Sequence, residues 1–277
     1  MSRGVTLEDA RTYNIIGCVE PQKGGKTDGW HDAAFFNMCR PLEMVFFNGM
    51  EDGVQVGPRT GDVSQMKTFD EFYDAYKAQM NYFIELMVNA DNAIDIAHAE
   101  RCPLPFQSSM IEDCIGRGKS LQEGGAIYNF TGPQGFGIAN VSDSLYAIKQ
   151  LVFEQKKVTL AEWREALADN YGRGLSKQQI ESLTTQIAKN LADAGQPVGE
   201  KEIAAVYQTV ASQGISPEKK AKYDQLLEWI DQVPKYGNDI EEADQFARDV
   251  AYTYTKPLNQ YRNPRGGIFQ AGLYPVS

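Results

Sequence analysis

Tyr13-Asn14-Ile15-Ile16-Gly17-Cys18-Val19-Glu20-Pro21-Gln22 sets a thiol two residues ahead of a carboxylate. In extended backbone that spacing aims both side chains to the same side, so the two would share one pocket. Pro21 favours extended geometry at Glu20, and Gly17 lets the backbone approach closely just before the thiol. On spacing alone, a buried cysteine beside a surface glutamate is the competing reading.

Downstream, apolar residues recur at helical spacing from Asp32 to Met50, and Gly49 with Gly53 closes the run. This predicts a helix followed by a loop. Thr68-Phe69-Asp70-Glu71 has the form of a capping box and opens a long periodic run to about His98, which Cys102-Pro103-Leu104-Pro105 stops. Ser108 to Gly116 reads as a short helix ended by Gly116 and Gly118. Residues 124 to 140 mix five glycines with aromatic and β-branched residues and read as strand and loop. Helical spacing returns from Ser142 to Phe153, after a second capping box at Thr159-Leu160-Ala161-Glu162, and from Ile240 to Leu258. Asn263-Pro264-Arg265-Gly266-Gly267 then breaks the chain before the strand-like Ile268 to Val276. Helix after loop after helix predicts repeated βα units, an α/β fold. Residues 173 to 222, rich in Gln, Lys, Glu and Ala, read as a helical surface insertion.

The 277 residues are 42% hydrophobic and 23% charged, the balance of a folded chain rather than a disordered or membrane-embedded one. A formal net charge of -10 with no basic run excludes nucleic acid and anionic lipid surfaces as natural partners. No apolar run reaches spanning length and the first residues lack a secretion signal, so the expected location is the cytoplasm. Four dispersed cysteines form neither a disulfide framework nor paired zinc ligands, and Cys39, Cys102 and Cys114 fall in or beside helical stretches as packed thiols. Two distant histidines give no metal site, and Gly132 to Gly137 lacks the spacing and lysine of a phosphate loop.

Gly17-Cys18-Val19-Glu20-Pro21-Gln22, followed by Gly25-Lys26-Thr27-Asp28-Gly29-Trp30-His31-Asp32, resembles the cysteine loop of the glycyl radical enzymes, the pyruvate formate-lyase-like family. Within it the sequence looks most like the B12-independent glycerol and propanediol dehydratases. The resemblance runs on through Ala90-Asp91-Asn92, Ala99-Glu100-Arg101, Pro103-Leu104-Pro105-Phe106, Gly124-Gly125-Ala126 to Gly137, Pro234-Lys235-Tyr236-Gly237-Asn238-Asp239, and Asn263-Pro264-Arg265-Gly266-Gly267 to Leu273-Tyr274-Pro275. It spares only 173 to 222.

The resemblance implies a single domain over 1–277, part of a ten-stranded α/β barrel of two antiparallel half-barrels of parallel strands, surrounded by helices. It implies that Cys18 relays a hydrogen atom from a glycyl radical to the substrate as a thiyl radical, and that Glu20 is the base. Small-molecule, diol-like substrates follow, with water as the group eliminated. Relatives with the same Cys-x-Glu core eliminate amines or sulfite, or decarboxylate, and these stay open alternatives. Cys18 is followed by Val19 rather than a second cysteine, which disfavours formate-forming acyl transfer. Asp32 matches a hydroxyl-binding pocket residue, with a helix N-cap as its competing role. His31 is weighed between the pocket and a helix start, and Tyr274 between the pocket and core packing.

No cofactor is expected in this segment. The radical would be installed by a radical SAM iron-sulfur activating enzyme on a C-terminal glycine loop whose Arg-Val-Ser/Ala-Gly-Tyr pattern is found nowhere in the chain. The parent is expected to be a homodimer. Met1 lies within one of the matching blocks and Ser277 within a strand-like stretch, which predicts a piece of a longer enzyme, inactive by itself; a short non-catalytic protein is the alternative.

Overall fold

A computed structural model describes residues 4–17, 20–173, 177–195, 199, 201–205 and 216–274. The chain divides into two compact units, one of Met1–Tyr146 with Pro234–Ser277, the other Ala147–Val233.

In the first unit, helix α1 (Leu7–Arg11) leads to a hairpin of β1 (Asn14–Ile16) and β2 (Glu20–Gln22), and then to β3 (Thr27–Asn37) and α2 (Cys39–Phe46). A small hairpin of β4 (Met50–Glu51) and β5 (Val54–Gln55) precedes the long α3 (Phe69–Arg101). Thr68 caps α3 with the reciprocal Glu71 bonds that the sequence predicts. Two short helices follow, α4 (Pro105–Met110) and α5 (Cys114–Arg117), where the sequence reads as one. The break falls at Asp113, held at φ 79°. Strand β6 (Tyr128–Phe136) and α6 (Ile138–Ile148) come next, and the π-helical turn Lys149–Glu154 that follows belongs to the second unit.

Strand β6 is the centre of a parallel sheet. It pairs with β3 on one side and, on the other, with β7 (Ile268–Phe269) and then β8 (Gly272–Tyr274). Pro133 stands in this central strand, where a residue without an N–H breaks a ladder. The sheet accommodates it on both sides. Pairing with β3 jumps from His31↔Gly132 to Phe35↔Gln134, so Pro133 faces a bulge. Pairing on the far side passes from Thr131↔Phe269 to Gln134↔Gly272, so Pro133 falls in the gap between β7 and β8.

The bulge also corrects the sequence reading. Residues 32 to 37 belong to β3 rather than to a helix, and α2 starts only at Cys39 with Met38 as its N-cap. Asp32 is therefore no N-cap and His31 begins no helix. The run Ala33-Ala34-Phe35-Phe36 is apolar without the alternation of a half-buried strand, Phe36 being buried and Phe35 69% exposed, and its partner lies about a hundred residues away in sequence.

Behind the sheet, Phe36 stacks on Tyr254 (ring centroids 5.2 Å apart) and Trp30 sets its edge against His98 (5.7 Å). A clasp of polar groups ties the same face together. Arg265, 6% exposed, donates from Nε to both Asp95 carboxylate oxygens (2.9 Å each), from one terminal nitrogen to Asp28 O and Oδ2 (2.9 and 2.7 Å), and from the other to Phe130 O and Thr131 Oγ1 (3.0 and 3.1 Å). One side chain thereby joins α3, β3 and β6. Gly267 must be glycine, since a Cβ there would stand 1.2 Å from the Asn129 carbonyl oxygen. Asn263 completes the turn, donating to Thr131 Oγ1 and accepting from the Gly267 N–H.

The second unit holds α7 (Leu160–Ala168), opened by the Thr159 capping box, α8 (Lys177–Asp193) and α9 (Pro217–Gln232). Lys219 of α9 bridges Glu165 and Asp169, and Tyr223 donates to Asp169 at 2.6 Å. The polar stretch read as 173 to 222 thus ends inside a helix, a boundary that composition does not mark. Helix α10 (Glu241–Leu258), of the first unit, follows Ile240 as predicted. Among the described residues no helix is long and apolar enough to cross a membrane.

Candidate active site

Register pairs Ile16 with Glu20 at the end of the β1–β2 hairpin, and Cys18 and Val19, between them, lie outside the described residues. Glu20 is extended, as its place before Pro21 requires, and is 5% exposed. Gly17 takes φ 60°, and a Cβ on it would stand 2.6 Å from Glu20 Oε2. The glycine so meets two demands, a left-handed backbone and room for a carboxylate folded back over it. The acid group is held beside the residue that precedes the cysteine.

Parallel neighbours share a face, and the alternation along β6 sorts the rest of the site. Phe130, Gly132, Gln134 and Phe136 point to the face opposite the Arg265 clasp, and His31, beside Gly132, points the same way. The His31 ring meets Phe130 edge to face at 4.8 Å. Tyr274, beside Phe136 in register, lies on this face too, its ring 5.5 Å from that of Phe136. His31 and Tyr274 therefore share one face of the sheet. Asp32 sits in the bulge, exposed, at φ 52°.

Burial holds the His31 imidazole below its ordinary pKa, against the opposing pull of the Glu20, Asp32 and Asp28 carboxylates. The ring is thus neutral at pH 7, and its Nε2 is buried with no hydrogen-bond partner among the described residues. A neutral imidazole in that state offers a hydrogen bond to a ligand.

The thiols separate by environment. Cys114 is buried, Cys39 is half-buried with its Sγ 3.6 Å from the Gly137 carbonyl, and Cys102, at the C-terminal end of α3, is exposed, contrary to the packed reading. Ending the helix puts Cys102 at the surface. No group of three or more His, Cys, Asp or Glu stands close enough to hold a metal among the described residues.

Sequence reasoning passed over Gln134. It is 3% exposed, its Oε1 lacks a partner among the described residues, and a Cβ on Gly272 would stand 1.9 Å from that oxygen. The available signal is a long polar residue set in Gly132-Pro133-Gln134-Gly135, a stretch read only as strand and loop.

A family model described as pyruvate formate lyase-like matches residues 1–277. The chain belongs to the pyruvate formate lyase-like family of glycyl radical enzymes. Its α/β sheet is part of that family's barrel. The chain is 35% identical over 279 residues to the (2S)-3-sulfopropanediol dehydratase of Klebsiella oxytoca, covering 100% of this chain and 28% of that protein. A Roseburia inulinivorans structure concerned with 1,2-propanediol dehydration is similar at 59% identity and a TM-score of 0.89, covering 99% of this chain and 33% of that one. The glycerol-bound B12-independent glycerol dehydratase of Clostridium butyricum is similar at 46% identity and a TM-score of 0.79, covering 99% and 29%. The chain thus spans about a third or less of the length of these family members, and the matches run through residues 173 to 222 as well.

Proposed function

We propose that the protein carrying this chain is a glycyl radical dehydratase that removes water from a small diol. The observation that supports this best is the Gly17–Glu20 arrangement, in which a buried carboxylate is folded against the glycine next to Cys18. In this reading the Cys18 thiyl radical takes a hydrogen atom from a carbinol carbon, forming S–H and leaving a carbon radical. Glu20 accepts the proton of that carbon's hydroxyl, the neighbouring C–O bond breaks, and the departing hydroxyl takes up a proton to leave as water. The product radical then recovers the hydrogen from Cys18. His31, Asp32 and Tyr274 serve as substrate-binding residues, the first two through hydrogen bonds to hydroxyls. Similarity to diol and glycerol dehydratases favours an uncharged polyol. The reading further includes a radical SAM iron-sulfur activating enzyme and a glycine radical outside this chain, a homodimeric parent and a cytoplasmic location.

The test is turnover of propane-1,2-diol and glycerol by the activated protein. Glu20→Gln keeps shape but not basicity and should lower kcat on the order of 10²–10⁴-fold, with little change in binding. Cys18→Ser should lose all turnover while the glycine radical still forms. Wild-type-like turnover by Glu20→Gln would make Glu20 a positioning residue only.

For residues 173 to 222 we propose a peripheral helical role. Long surface segments cost little loop-closure entropy, so replacing Arg173 to Lys222 by a short linker should leave a soluble protein. Aggregation of that variant would refute the proposal.

A further inference from the structure

Gln134 has a position that packing alone does not explain. Its side chain is almost wholly buried on the face of the sheet that carries His31 and Tyr274, yet its Oε1 has no donor among the described residues. Leaving a buried acceptor unpaired works against folding, so such a group marks strain, a water, a ligand or a group from the rest of the protein carrying this chain. Its surroundings favour the ligand. Gly132, two residues before it, has no side chain, and beyond that glycine stands His31 with its own unpartnered Nε2. On the other flank Gly272 is bare as well, and the amide lies across it. Two unpartnered polar groups thus stand on one face among glycines, His31 Nε2 beside Gly29 and Gln134 Oε1 beside Gly272, with Phe130 at one end and Phe136 at the other.

We propose that Gln134 is a specificity-determining residue that touches the substrate, its amide oxygen accepting a hydrogen bond from a hydroxyl. This rests on the dehydratase reading and deepens it. A neutral acceptor needs a donor, which a hydroxyl supplies and a carboxylate or sulfonate does not. The group that meets the Gln134 oxygen therefore carries a donor, which a hydroxyl supplies.

The experiment uses the full protein carrying this chain, before activation, so that binding is read without chemistry. Calorimetric titration with glycerol and with propane-1,2-diol is compared for wild type, Gln134→Leu and Gln134→Met, with thermal unfolding of each ligand-free protein. The expected result is binding weakened on the order of tenfold in both variants, with Tm unchanged or raised, because an unpaired buried acceptor has been replaced by an apolar group of similar size. A structural role moves the readouts the other way. Lower Tm in both variants, or failure of both to fold, would make Gln134 a packing residue and overturn the inference. Undiminished binding in stably folded variants would overturn it while leaving the dehydratase reading intact. If wild type binds neither polyol, the substrate reading fails and takes the inference with it.

Discussion

Arg265 and Gln134 lie on opposite faces of one three-stranded region and meet opposite fates. Each guanidinium nitrogen of Arg265 finds two acceptors. The Gln134 carbonyl oxygen finds no donor among the described residues. Burial is about equal, at 6% and 3% exposure, so solvent access does not separate them. What separates them is purpose: the rear face spends its polar groups on joining α3, β3 and β6, and the front face leaves polar groups and bare glycines together. Stability should reside behind the sheet and recognition in front of it.

The contrast breaks most visibly at Arg265. Arg265→Met would leave the buried Asp95 and the half-buried Asp28 carboxylates without a cation, a loss expected to reach about 3–5 kcal/mol in denaturant unfolding. Arg265→Lys should recover little, since a single ammonium cannot reproduce the planar fork. A loss below about 1 kcal/mol for the methionine variant would mean that packing, not the clasp, holds the strands.

A smaller effect of opposite sign is expected at Asp91, one turn before Asp95 on α3. Burial, with the Asp95 charge adding to it, raises the Asp91 carboxyl from its ordinary 3.8 to about 7, and Oδ2 has no partner among the described residues. The folded state then binds more protons than the unfolded one between about pH 4 and 7, so stability falls as pH rises through that window. Asp91→Asn should remove the slope and stabilise the protein at pH 7.5 by roughly 1 kcal/mol. An unchanged pH profile in urea unfolding would place the charge elsewhere.

The smallest effect sharpens the front face. Because burial lowers the His31 pKa, the unfolded state takes up the proton first, and stability should decline as pH falls through the ordinary histidine value of 6.5. His31→Gln should flatten the profile there by a few tenths of a kcal/mol, with substrate affinity changing far more than Tm. Loss of stability at neutral pH instead would assign His31 to packing.

How much of this the sequence shows depends on the range of the interaction. The starts of α3 and α7 were legible, because a capping box is completed within four residues. So was the break at Asn263 to Gly267. The clasp was not: Arg265 meets Asp95 and Asp28 from 170 and 237 residues away, and nothing local marks those partners. Residues 32 to 37 were misread as helix because the ladder that makes them a strand belongs to β6. At the site, the Gly-Cys-Val-Glu-Pro motif pointed to the family, whereas Gln134 became visible only once register had set it beside Gly272.

The bulge opposite Pro133 has a consequence for how the gene can change length. Between His31 and Phe35, β3 has three residues where β6 has one, a surplus of two, and because the surplus is even the faces stay in phase on either side. Losing one codon among Asp32, Ala33 and Ala34 would turn Phe35, Phe36 and Asn37 over, taking Phe36 off Tyr254 and presenting it on the face that carries His31 and Tyr274. Losing two codons would only straighten the strand. In a deletion library, six-nucleotide losses here should survive where three-nucleotide losses do not, so that the larger lesion is the milder one.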